Sequence, residues 1–312
     1  MKSRLISVIV PFFNEEKNVA ELHQRLIGVF KNLDYDFEIV FVDDGSTDAT
    51  FEAMRSLKPL TALRLRKNFG QSHALAAGIR RSRGDTVVTM DGDLENHPED
   101  IPRLIAKINE GYDVVSGWRK NRWSNQLILR RIPSLAANKL IAYVSGAALN
   151  DFGCALRAYR RSVINQIQLK GEEHRLIAAN ASVLGAHLAE IEVQYSARKS
   201  GKSKYGLMRI FKVLLDVLAL TFFNRYSSRP IHFFGGFGFA GLFLSLAAFI
   251  IMLYLRIFMG ISFILTPLPT LAAIFAIIGV QFILMGLLAE IYIRRDKNTS
   301  ENDFLIKEEI IN

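Results

Sequence analysis

A chain of 312 residues, half of them hydrophobic and with a mean hydropathy of +0.18, is more apolar than a purely water-soluble body requires, so part of it belongs in lipid. The net charge of +9 could suggest a nucleic-acid partner, but the bases gather near the apolar end rather than along an aromatic-studded face, which argues against one. A single cysteine, Cys154, excludes an intramolecular disulfide and agrees with a reducing compartment; as a lone thiol it reads as packing.

Residues 5–10 and 37–42 are short apolar runs ending in polar turns, and between them Val19, Leu22, Leu26, Val29 and Phe30 recur at helical spacing, which predicts a βαβ unit. Residues 14–16 are placed to cap that helix, and Ser46, Thr47 and Asp48 open a second one through Met54 and Leu57. A third strand over 62–65 leads into Asn68-Phe69-Gly70-Gln71 and an alanine-rich helix over 72–80. The β-branched run 86–90 is the fourth strand, a helix spans 101–109, and 114–117 is the fifth strand. Strands and helices alternating with short connections predict an α/β fold with a mostly parallel, doubly wound sheet.

From 231 to 255 and again from 257 to 289 there is no Asp, Glu, Lys or Arg. Each stretch exceeds the roughly 20 residues that cross a bilayer core of about 30 Å, and two transmembrane helices are expected, the second starting near Pro269. Arg225 and Arg229 before the first span, with Arg294, Arg295 and Lys297 after the second, place both ends on the cytoplasmic side, and 5–13 is too short for a signal peptide. Ahead of the spans, 207–228 has an apolar face opposite Arg209, Lys212 and Asp216 and reads as an amphipathic helix in the interface. Bases between 202 and 229 would draw anionic headgroups, making the lipid bilayer a partner. The resulting division is an α/β domain over 1–206, the interfacial helix over 207–228, a hairpin over 229–295 and a loosely ordered tail over 296–312.

Asp91-Gly92-Asp93 follows the fourth strand directly, at the edge where open α/β sheets bind ligands. Two desolvated carboxylates one residue apart repel unless a cation lies between them. Hard oxygen ligands suit Mg2+ or Mn2+, which shares its shell with substrate phosphates, so a nucleotide diphosphate is the expected ligand.

PFFNEE at 11–16, FVDDGSTD at 41–48, RKNFGQSHALAAGI at 66–79, DGDLEN at 91–96, DFGCALRAYRR at 151–161 and SGKSKYGLMR at 200–209 follow one another in order, ahead of the apolar hairpin. Together they resemble the family 2 glycosyltransferases with a GT-A fold. The last two motifs look like the branch that glycosylates polyisoprenyl phosphates, which includes dolichol-phosphate mannose synthase, bactoprenol glucosyltransferase and undecaprenyl-phosphate aminoarabinose transferase.

The resemblance implies a nucleotide-sugar donor, with a preference for UDP-sugars, held by Pro11, Asn14, Glu15, Asp43, Asp44, Gly70 and Asp91. Asp44 is favoured for the base. It implies a metal on Asp91 and Asp93, with Glu95 standing where relatives often carry Gln. It implies a polyisoprenyl phosphate acceptor gripped by Arg119, Arg131, Ser134, Arg198, Lys202 and Ser203. Asp93, Asp151 and Arg119 are the catalytic candidates, and relatives form dimers or tetramers, which makes a homo-oligomer a further expectation. Turn-forming or helix-capping roles for Asp43, Asp44 and Asp151 stand beside these. A non-catalytic scaffold that binds nucleotide and lipid, or a transferase for another lipid or glycan, are the competing functions.

Overall fold

The structure, a computed structural model, describes residues 5–31, 33–120, 138–139, 141–142, 145–167, 169, 173–196, 230–295 and 306–311. The chain forms two compact units, Met1–Val217 with Glu301–Asn312, and Leu218–Ser300.

The first unit is built on strands β1 (Ile6–Phe12), β2 (Phe37–Asp43), β3 (Thr61–Leu65), β4 (Thr86–Thr89), β5 (Val114–Trp118), β6 (Arg157–Arg160), β7 (Leu188–Glu192) and β8 (Ile306–Ile311). They lie in the order β7-β5-β6-β4-β1-β2-β3-β8. β1 is parallel to β2 and β4, β2 to β3, and β5 to β7; β6 runs antiparallel between β4 and β5, and β8 runs antiparallel along β3. The fold is therefore a mostly parallel α/β sheet, as the alternation of elements predicted, and it agrees with the GT-A type that the resemblance implied.

Helices α1 (Glu16–Lys31), α2 (Thr50–Arg55), α3 (Gln71–Arg81), α4 (Ile101–Asn109), α5 (Arg161–Ile164) and α6 (Ile177–Val183) complete this unit. Period-2 alternation sends Ile6, Val8, Val10 and Phe12 of β1 to one face, where they share a core with Val19, Leu22 and Leu26 of α1 and Leu104 and Ile108 of α4. Ile9 faces the other way, against Gly78 of α3, where an added Cβ would lie 3.1 Å from Val42 and closer still to Ile9. Burying each such aliphatic side chain contributes about 1.5–3 kcal/mol, so the central strands are fixed from both faces.

Three features depart from expectation. β6 and β7 are not among the predicted strands: in Arg157-Ala158-Tyr159-Arg160 two charges mask the pattern, and in Leu188-Ala189-Glu190-Ile191-Glu192 two acids do. The tail is not loose throughout: Ile306–Ile311 pairs with Thr61–Leu65 and joins the sheet, with Glu308 on Arg55 and Glu309 on Arg81. Asn14 does not cap α1; at φ +56° it braces the neighbouring turn, its Oδ1 accepting the Thr47 amide at 2.9 Å.

The second unit contains α7 (Pro230–Met259) and α8 (Leu268–Arg295), both long and apolar enough to cross a membrane. Pro269 lies in the first turn of α8, where its missing N–H costs no hydrogen bond. The helices touch through glycines: a Cβ on Gly241 would lie 3.1 Å from Gly279 Cα, and one on Gly279 would lie 2.8 Å from the Gly238 carbonyl. Small residues allow this approach, while Phe239, Phe243, Ile250 and Leu288 remain exposed on the outside. The expected interfacial helix over 207–228 falls outside the described residues.

Candidate active site

Parallel pairing brings the ends of β1, β2 and β4 to one edge of the sheet: Phe12 lies opposite Asp43, and the Met90 amide donates to the Ile9 carbonyl at 3.2 Å. β2 and β4 flank β1 on opposite sides, so this edge is a switch point, where an open α/β sheet leaves a crevice.

The turn after β2 is tightly tied. Asp43 Oδ1 accepts the Ser46 amide at 2.9 Å, and Oδ2 lies 3.4 Å from Arg64 Nε. Asp44 reaches across to the next loop, its two oxygens accepting the Phe69 and Gly70 amides at 2.8 and 2.9 Å. Its pKa is raised, chiefly by removal from water, against the pull of those amides. Gly45, at φ +68°, is required: a Cβ would collide with the Lys67 backbone and come within 2.7 Å of Asn68 N. On the β1 side, Pro11 pairs with Val42, the Asn14 amide donates to Ser46 Oγ at 2.9 Å, and the Glu15 amide donates to Thr50 Oγ1 at 2.9 Å. The donor-side candidates Pro11, Asn14, Glu15, Asp43, Asp44 and Gly70 thus form one interlocked set of turns.

The acidic loop follows β4. Gly92 sits over the Phe12 ring so closely that a Cβ would lie 2.5 Å from two ring carbons, which is why glycine separates the two aspartates. Asp91 Oδ1 accepts Gln71 Nε2 at 2.6 Å, from the first residue of α3, and Asp93 Oδ1 accepts the Glu95 amide at 3.1 Å. Removal from water, then repulsion from Asp93 and Glu95, pushes Asp91 up to about 7, while Arg119 and the Gln71 hydrogen bond oppose the shift.

These groups fit a hard divalent cation, because a carboxylate removed from water and repelled by Asp93 and Glu95 is stabilised by a cation placed between the acids. Among the described residues no three His, Cys, Asp or Glu side chains gather to hold a metal by themselves. Two carboxylates completed by substrate oxygens is the arrangement Mg2+ and Mn2+ favour.

Arg119, just past β5, is clamped by Asp151: Nε donates to Oδ2 at 2.8 Å and Nη2 to Oδ1 at 3.1 Å. Burial alone would lower the guanidinium pKa, but the charge and hydrogen bonds of Asp151 outweigh it and the pKa is raised. Asp151 is itself fixed, its amide donating to Glu190 Oε1 at 2.9 Å and its Oδ1 accepting the Gly153 amide at 2.9 Å. Arg119 lines a cleft of ≈ 630 Å³ with His97, Arg103, Lys120, Glu192 and Ser196. Ser196 Oγ lies 2.7 Å from His97 Nε2, and the Ser196 amide donates to the Glu95 carbonyl at 2.9 Å, so this wall is stitched to the acidic loop.

The chain thus assembles the donor-side turns, the acidic pair and the Arg119–Asp151 clamp within the first unit. Arg131, Ser134, Arg198, Lys202 and Ser203 lie outside the described residues. Two partners escaped sequence reasoning: Gln71, which sits inside the NFGQ motif, and Glu190, whose strand carries no distinctive pattern. Cys154 is buried, its thiol pushed up to about 11 by desolvation first, which leaves it inert.

Residues 7–168 match the model of the family described as Glycosyl transferase family 2. The chain is 41% identical over 305 residues to a dodecaprenyl-phosphate galacturonate synthase of Rhizobium johnstonii, covering 94% of this chain and 89% of that protein. It is 37% identical to an undecaprenyl-phosphate 4-deoxy-4-formamido-L-arabinose transferase of Pseudomonas fluorescens, covering 92% and 84%. Among solved structures it is similar to glucosyl-3-phosphoglycerate synthase from Mycobacterium tuberculosis in complex with Mn2+ and UDP-glucose, at TM-score 0.53 and 20% identity, covering 71% of this chain and 79% of that one.

Proposed function

This chain belongs to glycosyl transferase family 2 and is a glycosyltransferase; from that premise we propose that it transfers a sugar, with inversion, from a nucleotide-sugar to a polyisoprenyl phosphate at a membrane surface. The observation that carries this reading is the pairing of opposites in one site: an acidic pair in which removal from water and then repulsion from Asp93 raise Asp91 to about 7, beside a buried Arg119 whose attraction opposes the shift. The first half suits a metal-bound diphosphate and the second suits another phosphate.

On the donor side, the loops tied by Asn14, Asp43 and Asp44 form the nucleoside cradle, with a uridine donor preferred. A divalent cation on Asp91 and Asp93, with Glu95 alongside, would neutralise the diphosphate as it leaves. Arg119 holds the acceptor phosphate with its fork pre-set by Asp151, so no side-chain entropy is lost at the moment of binding. Arg131, Ser134, Arg198, Lys202 and Ser203 complete that grip in this reading. The acceptor needs little general-base help, because a phosphate monoester is already ionised near neutral pH, and a phosphate oxygen attacks the anomeric carbon in line with the departing diphosphate. Transfer depends mainly on positioning and charge.

The membrane assignment is supported by α7 and α8 and by the names of the relatives. β8 lies beyond both helices in sequence yet pairs with β3, so chain on either side of the hairpin shares one compartment, consistent with two crossings. Positive residues on both flanks make that compartment the cytoplasm.

The test is a donor panel with the detergent-purified protein and undecaprenyl phosphate, reading nucleoside diphosphate release with Mg2+, Mn2+ or EDTA. Metal-dependent release with one donor, only when lipid phosphate is present, is the expected result. Nucleotide binding without release under any condition would make the protein a scaffold and overturn the reading.

A further inference from the structure

Arg157 is 2% exposed and, among the described residues, forms no ion pair. A guanidinium buried without a counter-charge is expensive, so its hydrogen bonds must do what a carboxylate would otherwise do. It lies on β6, directly opposite Thr89 of β4 and Ser116 of β5. Those two strands lead into Asp91 and Arg119.

Its three nitrogens diverge. Nη2 donates to the Phe152 carbonyl at 2.6 Å, next to Asp151 in the chain. Nε donates to Ser116 Oγ at 3.3 Å, and Nη1 donates to the His174 carbonyl at 3.3 Å. From His174 the connection continues: its amide donates to Ser72 Oγ at 3.1 Å, and its Nδ1 stands 3.1 Å from the same oxygen. Desolvation first, then the charges of Arg175 and Arg157, pushes His174 down to about 3, so the ring that meets the Ser72 hydroxyl is neutral. Ser72 lies in the first turn of α3, beside Gln71, which donates to Asp91. One guanidinium therefore reaches the loop that clamps Arg119 and, through one backbone carbonyl and one serine, the helix end that orients Asp91.

We propose that Arg157 is a positioning residue that fixes the metal-diphosphate half of the site and the acceptor-phosphate half relative to one another. This rests on the transferase reading above. The planar fork matters as well as the charge, since a lysine presents one ammonium centre and cannot span three divergent acceptors. The branches separate experimentally: Ser72 serves only the Asp91 side, whereas Arg157 serves both.

The experiment uses the full-length protein in detergent and two readouts, calorimetric affinity for UDP with Mn2+ and the steady-state KM for undecaprenyl phosphate. Arg157→Gln and Arg157→Lys should each weaken nucleotide binding and raise the lipid-phosphate KM, by roughly tenfold, the scale at which outer partners of ligating carboxylates act. Ser72→Ala should weaken nucleotide binding and leave the lipid-phosphate KM unchanged. Folded Arg157 variants with both constants at wild-type values would overturn the proposal, as would a Ser72→Ala variant that alters only the lipid-phosphate KM. If Arg157 variants do not fold, Ser72→Ala still decides the donor branch. Wild-type protein that binds UDP with Mn2+ but never glycosylates lipid would defeat the transferase reading alone, because calorimetry reads the donor branch without turnover.

Discussion

Arg119 and Asp151 meet fork to fork, Nε on Oδ2 at 2.8 Å and Nη2 on Oδ1 at 3.1 Å, with side chains only 2% and 12% exposed. Removing one partner of a buried pair leaves the other charged and uncompensated, at a cost of about 3–5 kcal/mol. Asp151→Asn should lower the thermal midpoint by several degrees and reduce kcat/KM for lipid phosphate more than tenfold. Thermal unfolding and steady-state kinetics on the same preparation check both. Unchanged kinetics in a destabilised variant would reduce Asp151 to a structural role.

Asp93→Ala should abolish metal-dependent nucleoside diphosphate release while the protein still inserts into membranes and elutes as the wild type does. The comparison is release with Mn2+ against release with EDTA. Full activity retained in this variant removes Asp93 from the metal site.

Gly92→Ala places a methyl group 2.5 Å from the Phe12 ring carbons, in a region packed from both sides. Overpacking of this kind costs about 1–3 kcal/mol, and here the strain falls on the loop between Asp91 and Asp93. The single variant should lose both stability and activity. Adding Phe12→Leu, which withdraws the ring, should restore part of each, and failure of this rescue would place the defect elsewhere.

Stability should fall on acidification because of His174. The unfolded imidazole takes its proton near 6.5, while the folded one takes it only near 3. Between those values the unfolded chain binds more protons, so folding stability decreases as pH drops through that window and is fully present above it. Thermal midpoints from pH 7 to pH 4 should decline for the wild type and more shallowly for His174→Gln; parallel curves would assign the acid sensitivity to other groups.

Ending the chain at residue 303 removes β8 and leaves β3 as an open edge, with Glu308 and Glu309 withdrawn from Arg55 and Arg81. An uncovered edge strand is a template for association. The shortened protein should unfold at lower temperature and show higher-order species by size exclusion in detergent. A monodisperse variant with the wild-type midpoint would show that the strand is dispensable.

Much of this could be read from the chain directly. The alternation of β1, the spacing of Val19, Leu22 and Leu26 in α1, the β-branched run before Asp91 and the two uncharged stretches are local signals, because one buried face or one bilayer imposes one repeat on neighbouring residues. Gly45 and Gly92 were visible as motif glycines, but only the packing of Lys67 and Phe12 against them explains why no side chain fits.

What the sequence by itself determined was the run of elements from β1 to β5, the acidic tip of β4 and the two apolar stretches of the hairpin. Tertiary structure alone decided that Arg119 is held by a residue 32 positions away and that Ser72 meets one 102 positions away. It also decided that Arg157 stands between the strands carrying Asp91 and Arg119, and that the tail returns to the sheet. Short-range periodicity records which face of an element avoids water. The choice of partner between distant carboxylates, guanidiniums and strand edges depends on sheet order and register, which no local repeat encodes.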